Sequence, residues 1–369
     1  MSLRCVALLG KRDSPTDAVE EYCRYLAEAL VEHGIELETM HVDWAEKGWE
    51  TALSDLQASA AKDRPSWFLL QYTALAWSRR GFSWRVLNVI RLLKKTGARV
   101  AAVFHDARPY FGNRVVDRLR RRVQLHTMRK MLRLCDISIL TVPAETTPWG
   151  AGLLDRAVFI PIAANLPSPE SAWTKPATDA GRPPTVGVFS LSGGRAGAEE
   201  ANLIADNAAF VSERLGALRV VVAGRNAEAA GRILREKLQG KPVELVVHGL
   251  LPGGEIVSLL AGCDAMLFVR GPISTRRGSA MAGIACGLPV IARDGWETAP
   301  PVTEAGVVLV PPDATHEFGP ALLRVLQDSN YRAQLAARSR NAQSQHFSWP
   351  VIAARYARIL AAHQSDQPS

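Results

Sequence analysis

The chain reads HGLLPGGEIVSLLAGCDAMLFVR from His248 to Arg270, GPISTRRGSAMAGIACGLPVIARDG from Gly271 to Gly295, and EAGVVLVPP from Glu304 to Pro312. In order these are a strand-end glycine, a helix, a buried strand, a glycine-rich loop, a second helix, a second strand, a glycine turn and a short third strand. Strands that alternate with helices pair in parallel. The strand runs are continuous in Val, Ile, Leu and Ala, which suits a sheet covered on both faces. The stretch predicts an α/β fold.

The same alternation extends outward. Upstream lie the strands TVGVFS, LRVVVAG and VELVVHG and the long helix AEEANLIADNAAFVSERLG, which complete a domain over residues 185–345. Residues 166–184 (LPSPESAWTKPATDAGRPP) are dense in Pro, Ser, Thr and Ala and read as a linker. Residues 1–165 repeat the pattern with RCVALLG, IELETMHV, WFLLQYT, ARVAAVFHD, DISILTVP and AVFIPI, and their first helix closes at Gly34. A last helix and a polar tail, QSDQPS, occupy 346–369.

A chain of 369 residues is long enough for two such domains. It has no apolar run of about 18 residues, so no transmembrane helix is expected. The opening MSLRCVALLG enters a strand directly, without the charged leader and cleavage site of a signal peptide, which predicts a cytoplasmic protein. Cysteines 5, 23, 135, 263 and 286 form no CxxC pair and read as buried thiols of a reducing compartment. No cofactor or metal-ligand cluster is expected. The net charge of +8 calls for an anionic partner: a phosphate-bearing substrate, an anionic membrane or nucleic acid. Nucleic acid ranks last, because no RNP, zinc-finger or helix-turn-helix signature accompanies the charge. The loop after the first strand, with Gly10, Lys11, Arg12 and Asp13, lacks G-x-G-x-x-G, which counts against an oxidoreductase.

Four motifs in this order resemble retaining glycosyltransferases of the family 4 type: FHD at 104–106, IPIAANL at 160–166, ACGLPV at 285–290, and FSW-x-x-x-A-x-x-Y at 347–356. The resemblance implies a GT-B fold, two Rossmann-like domains facing a central cleft, with the last helix crossing back to the first domain. It implies transfer of a sugar from a nucleotide-diphosphate donor to a cell-envelope polysaccharide or glycolipid acceptor. The chain departs from the family at two points. The family's G-R-x-x-x-x-K-G pattern for the donor diphosphate is degraded, with Arg195 the only nearby base. Anchoring on ACGLPV puts Ser274 and Ala282 where the family carries its Glu-x7-Glu pair, and no Asp or Glu occurs from 265 to 293. A non-catalytic GT-B paralogue that scaffolds polysaccharide synthesis is therefore the alternative.

The expected site follows from strand ends and glycine loops, where open α/β sheets bind ligands. His105 ends a strand and is followed by Asp106; the resemblance places the histidine against the donor sugar. Donor contacts are expected from Gly10, Ser190, Gly194, Arg195, Arg225, the His248–Gly249–Leu250 turn, and the loop Ser274, Thr275, Arg276, Arg277 and Gly278. Arg276 and Arg277, with Arg270 and Arg293 nearby, suit a diphosphate or a donor whose sugar is itself anionic. The acceptor side is assigned to Lys11, Asp17, Trp77 and Trp84. The segment 114–136 (RVVDRLRRRVQLHTMRKMLRLCD) reads as a basic amphipathic helix. It lies on anionic lipid at the inner face of the membrane or packs as an ordinary core helix with a solvated face.

Overall fold

A computed structural model describes residues 2–174 and 181–363 and divides the chain into two compact units, 1–161 with 349–369 and 162–348. The strands are β1 Leu3–Leu9, β2 Ile35–His41, β3 Trp67–Tyr72, β4 Arg99–Phe104, β5 Ile137–Leu140 and β6 Ala157–Phe159 in the first unit. The second carries β7 Thr185–Phe189, β8 Leu218–Ala223, β9 Val243–Val247, β10 Ala265–Pro272, β11 Val290–Arg293 and β12 Val307–Val310. The helices are α1 Ala18–Leu30, α2 Trp44–Lys47, α3 Trp49–Asp63, α4 Val86–Lys95, α5 Val115–Leu134, α6 Gly194–Leu215, α7 Ala227–Lys237, α8 Gly253–Ala261, α9 Gly278–Ala285, α10 Phe318–Gln327, α11 Ser329–Ala342 and α12 Trp349–Ala362.

Each unit is one six-stranded sheet, ordered β2-β1-β3-β4-β5-β6 and β12-β11-β10-β7-β8-β9, and every pairing is parallel. All six residues of β3 are buried, as a strand covered by helices on both faces requires. The strand order reverses between β1 and β3 in the first unit and between β7 and β10 in the second. At such switch points the flanking loops diverge and leave a crevice at the carboxyl ends of the strands.

The last helix belongs to the first unit. Tyr22 Oη on α1 donates to Tyr356 Oη on α12 at 3.1 Å, and the Tyr25 and Trp349 rings stack at 5.6 Å. Burial holds both buried tyrosines protonated well above the ordinary phenol range. Composition hides one feature. Residues 166–174, read as linker, pack into the second unit, with Leu166 and Ala172 in its core and Trp173 Nε1 donating to the Ala285 carbonyl at 2.8 Å. The rest of that segment, 175–180, lies outside the described residues, as does the tail 364–369.

Candidate functional site

In the second unit, the β7/β10 switch point is built from glycines and arginines. Ser190 follows β7 in a left-handed conformation (φ +63°), a strained choice for a residue with a side chain. Its hydroxyl accepts from Arg270 Nη1 at 3.3 Å, which joins the β7 loop to the end of β10. Gly194 is also left-handed, and a Cβ on Gly197 would collide with the Ser192 carbonyl. These glycines let the loop turn tightly into the 22-residue α6, whose N-terminus carries no side-chain cap. Its first amides are left to serve an anion. Ser192 donates through N and Oγ to buried Glu200 at 2.7 and 2.6 Å, which fixes the loop from below.

The neighbouring loops are tied to the same place. Leu191 N donates to the Arg225 carbonyl at 2.9 Å, and Asn226 Nδ2 returns a bond to the Leu191 carbonyl at 2.9 Å. Gly224 N donates to the Gly249 carbonyl at 2.9 Å, which draws in the His248–Leu250 turn with Leu250 exposed. Arg270 is half-buried here, with no bond to its buried Nε. Burial and the neighbouring Arg225 push its pKa down from the ordinary value, and Glu200 acts in the opposite direction. Arg293, one strand over at the end of β11, has a buried Nε in the same condition. Arg225 and Arg270 thus gather positive charge at this sheet edge, with Glu200 opposing it.

The 274–278 loop differs from expectation. Arg276 does not face outward to receive phosphate. Its Nε and Nη2 donate to Glu297 at 2.8 and 2.9 Å, and Ser274 Oγ donates to the same carboxylate at 3.1 Å. Glu297 is 1% exposed. A carboxylate thus lies against Ser274 after all, reaching back from a loop 23 residues downstream. Both of its oxygens accept from the arginine, so the pair braces the loop. Thr275 is buried and its carbonyl accepts from Ile162 N at 3.1 Å; Arg277 and Gly278 begin α9. Ala282 is packed inside the second core at 1% exposure. Arg195 also departs from its expected role: it is 93% exposed and pairs with Glu199 along the helix surface.

In the first unit, a cavity of about 400 Å³ sits at the β1/β3 switch point, lined by Gly10, Lys11, Asp17, Gln71, Arg79 and Asp106 among others. Gly10 is required by space, since a Cβ there would collide with the Ala76 carbonyl. His105 stands beside β3. Gln71 Nε2 donates to the Leu69 carbonyl at 3.0 Å, so Gln71 Oε1 faces His105 Nε2 at 2.8 Å and accepts a hydrogen bond from it. The Tyr22 ring meets the imidazole edge-on at 5.2 Å. Asp106 Oδ2 accepts from Ala74 N at 2.6 Å, which holds the loop after β3 while Asp106 lines the cavity.

One acceptor-side expectation needs correction, that of Trp77, while Asp17 lines the β1/β3 cavity and has a second duty. Trp77 is 1% exposed and donates Nε1 to the Gln71 carbonyl at 2.9 Å, so it is a core strut. Asp17 caps α1, accepting from Val19 N and Glu20 N at 2.9 and 3.1 Å. Trp84 is 48% exposed. The basic helix α5 also divides into two parts. Met128, Met131 and Leu132 are buried, but Val115, Val116 and Leu119 are exposed beside exposed Phe111 and Tyr110, so no single apolar stripe runs its length. Among the described residues no helix is long and apolar enough to cross a membrane.

No family model and no curated protein matches the chain. Solved structures do. Anabaena Alr3699/HepE in complex with UDP and glucose matches 98% of this chain and 100% of its own, with a TM-score of 0.67 and 15% identity. A glycosyltransferase from Rickettsia africae ESF-5 matches 99% of this chain and 100% of its own, with a TM-score of 0.70 and 11% identity. The chain has the GT-B fold. A candidate UDP-N-acetylglucosamine 2-epimerase from Listeria monocytogenes matches over 100% of this chain and 99% of its own, with a TM-score of 0.62 and 13% identity. Transferase and epimerase descriptions therefore occur on one architecture, and the GT-B fold alone does not choose between them.

Proposed function

We propose that this chain is a glycosyltransferase that takes a nucleoside-diphosphate sugar at the β7/β10 edge of its second domain and passes the sugar to a cell-envelope glycan or glycolipid. One observation carries the reading: the uncapped N-terminus of α6 converges with Arg270 and Ser190 at a switch point, an anion site with directional amide donors and a half-buried cation. The solved relatives with UDP support it. The diphosphate leaving group gains its charge as the glycosidic bond breaks, and these groups stabilise that charge. His105, held in its Nε2–H form by Gln71, is the residue we assign beside the sugar. The first domain's β1/β3 cavity is the acceptor side. Retention of anomeric configuration, and a nucleotide sugar as co-substrate without a resident cofactor, complete the proposal.

The test is calorimetry with UDP, GDP, ADP and dTDP. One charge-assisted contact is worth ~1.5–3 kcal/mol, so Arg270→Gln should weaken the preferred nucleotide about tenfold or more. Absence of binding for all four removes the donor assignment. The non-catalytic reading is favoured by one observation, the capture of Glu297 by Arg276 in the region where the family keeps its glutamates. Nucleotide binding without hydrolysis or transfer of any UDP- or GDP-sugar would select it. We also assign the exposed face formed by Phe111, Val115, Val116 and Leu119, with Arg114, Arg118, Arg121 and Arg122 around it, to peripheral contact with anionic lipid.

A further inference from the structure

A second cavity of about 430 Å³ adjoins the acceptor side of the first unit; Trp44, Trp49, Trp84, Arg79, Arg80 and Arg85 are among its lining residues. The two cavities share Arg79. They also share an anchor, because the Ala76 carbonyl accepts both Lys11 N at 2.7 Å and Trp44 Nε1 at 2.9 Å. We propose that this aromatic cavity is an outer acceptor subsite that binds a carboxylate-bearing sugar of a glycan chain, packed on Trp84. The inference rests on the transferase reading and adds the class of acceptor: an acidic oligosaccharide at least two residues long.

The chemistry of the walls carries it. Trp44 and Trp49 stack at 5.2 Å with only 10° between their planes, and the buried Trp44 holds its partner upright. Trp49 is half-buried between Trp44 and Arg85, and Trp84 is 48% exposed, so the indole surface open to a ligand is that of Trp84. The C–H faces of a pyranose ring are apolar and pack on such a surface. Arg85 lies 5.8 Å from the Trp49 ring and 5.3 Å from that of Trp84, which places a cation between the two rings.

The rim is one-sided. Arg79, Arg80 and Arg85 supply only donors, and among the described residues no carboxylate lines the cavity. Arg79 spends one nitrogen on the Ala45 carbonyl at 2.6 Å. The nearby Asp43 and Asp55 are paired to Lys47 at 3.3 and 3.0 Å. Ser78 Oγ accepts from Phe82 N at 2.9 Å. A neutral sugar needs acceptors for its hydroxyl protons as well as donors for its oxygens. A cavity rich in donors instead suits a ligand rich in acceptors, such as a uronate. Its volume falls in the range of roughly 300–1,000 Å³ usual for small-molecule sites.

The test is calorimetry on the full chain with tetrasaccharides of galacturonate, mannuronate and hyaluronan, and with maltotetraose and cellotetraose as neutral probes. At least one acidic tetrasaccharide should bind, and the neutral ones about tenfold more weakly or not at all. Trp84→Ala, at an exposed position, should weaken the acidic ligand about five- to tenfold with an unchanged melting curve. Arg85→Gln should weaken it and flatten its salt dependence. The proposal is overturned if no acidic probe binds, if neutral probes bind equally, or if Trp84→Ala binds as wild type does. Loss of anionic-vesicle binding in Trp84→Ala, with glycan binding intact, would also overturn it in favour of a lipid surface. UDP titrated into the same wild-type protein separates the two claims: UDP binding without glycan binding sinks only the subsite, and the converse sinks only the donor reading.

Discussion

Arg276 distinguishes a brace from a ligand. If it is the brace the structure shows, Arg276→Ala leaves Glu297, 1% exposed, with Ser274 as its one remaining side-chain donor among the described contacts. Breaking a buried ion pair costs ~3–5 kcal/mol; Arg276 keeps 16% exposure, so we take the low end, about 3 kcal/mol. For a domain of ~150–250 residues that lowers Tm by roughly 6–12 °C. Replacing both partners with apolar residues, Arg276→Met with Glu297→Leu, removes the stranded charge and should recover most of the loss. Urea and thermal unfolding of wild type, both single variants and the double variant give the coupling energy. UDP calorimetry on the same four proteins should track stability: weak in the single variants and largely restored in the double variant. A single variant with wild-type stability and a tenfold loss of UDP affinity would refute the brace and make Arg276 a phosphate contact.

His105→Ala should lower turnover by more than it lowers Tm. Gln71→Leu, which frees the imidazole from its Nε2–H form, should shift the pH–rate profile, and a wild-type profile would end the positioning role. All five cysteines are buried, with the Cys5 thiol pushed up to about 12 by burial and those of Cys23 and Cys135 also raised. Native protein at pH 8 should therefore leave a thiol reagent unconsumed, and the denatured chain should consume five equivalents. Because the folded state keeps those protons above the unfolded thiol pKa of about 9, stability should fall as pH rises from 9 towards 12. Phe111→Asp with Val115→Asp should abolish co-sedimentation with anionic liposomes, and undiminished binding would show that face to be merely solvated. Ala282→Glu places a carboxylate in the packed core behind α9 and should cost about 3 kcal/mol or more without tightening UDP; tighter binding would show that helix face to be open to a ribose.

The fold was legible because parallel strands buried on both faces leave continuous apolar runs, as in WFLLQY, and because such runs alternate with capped helices. The α1 cap was legible too. Asp17 with Glu20 three residues later is a helix-start signature, and weighing it would have added the cap to the place of Asp17 in the cavity wall. Burial of Trp77 was not legible. WSRRGFSW has no helical or strand period, and in a loop nothing local says which ring turns inward. Arg195 was chosen for its place beside two glycines, yet it stands on the solvent side of α6, where Glu199 one turn on takes its guanidinium.

The Ser274 region shows why residue spacing alone fails at this site. Scanning residues 265–293 for a carboxylate assumes that the group facing the β10–α9 loop must come from that loop. In a parallel sheet the loops after neighbouring strands converge at the same edge, so the segment after β11 can supply it equally well. Glu297 does so, and it brings a constraint the sequence reading did not contain: its charge is already matched by Arg276. On the transferase reading, the cation placed for an incoming diphosphate is then Arg270, which bonds the Ser190 hydroxyl at the switch point. A site with this balance stabilises a leaving group by fixed positive charge and helix amides, and its activity should depend more steeply on Arg270 than on either position where the family keeps glutamate.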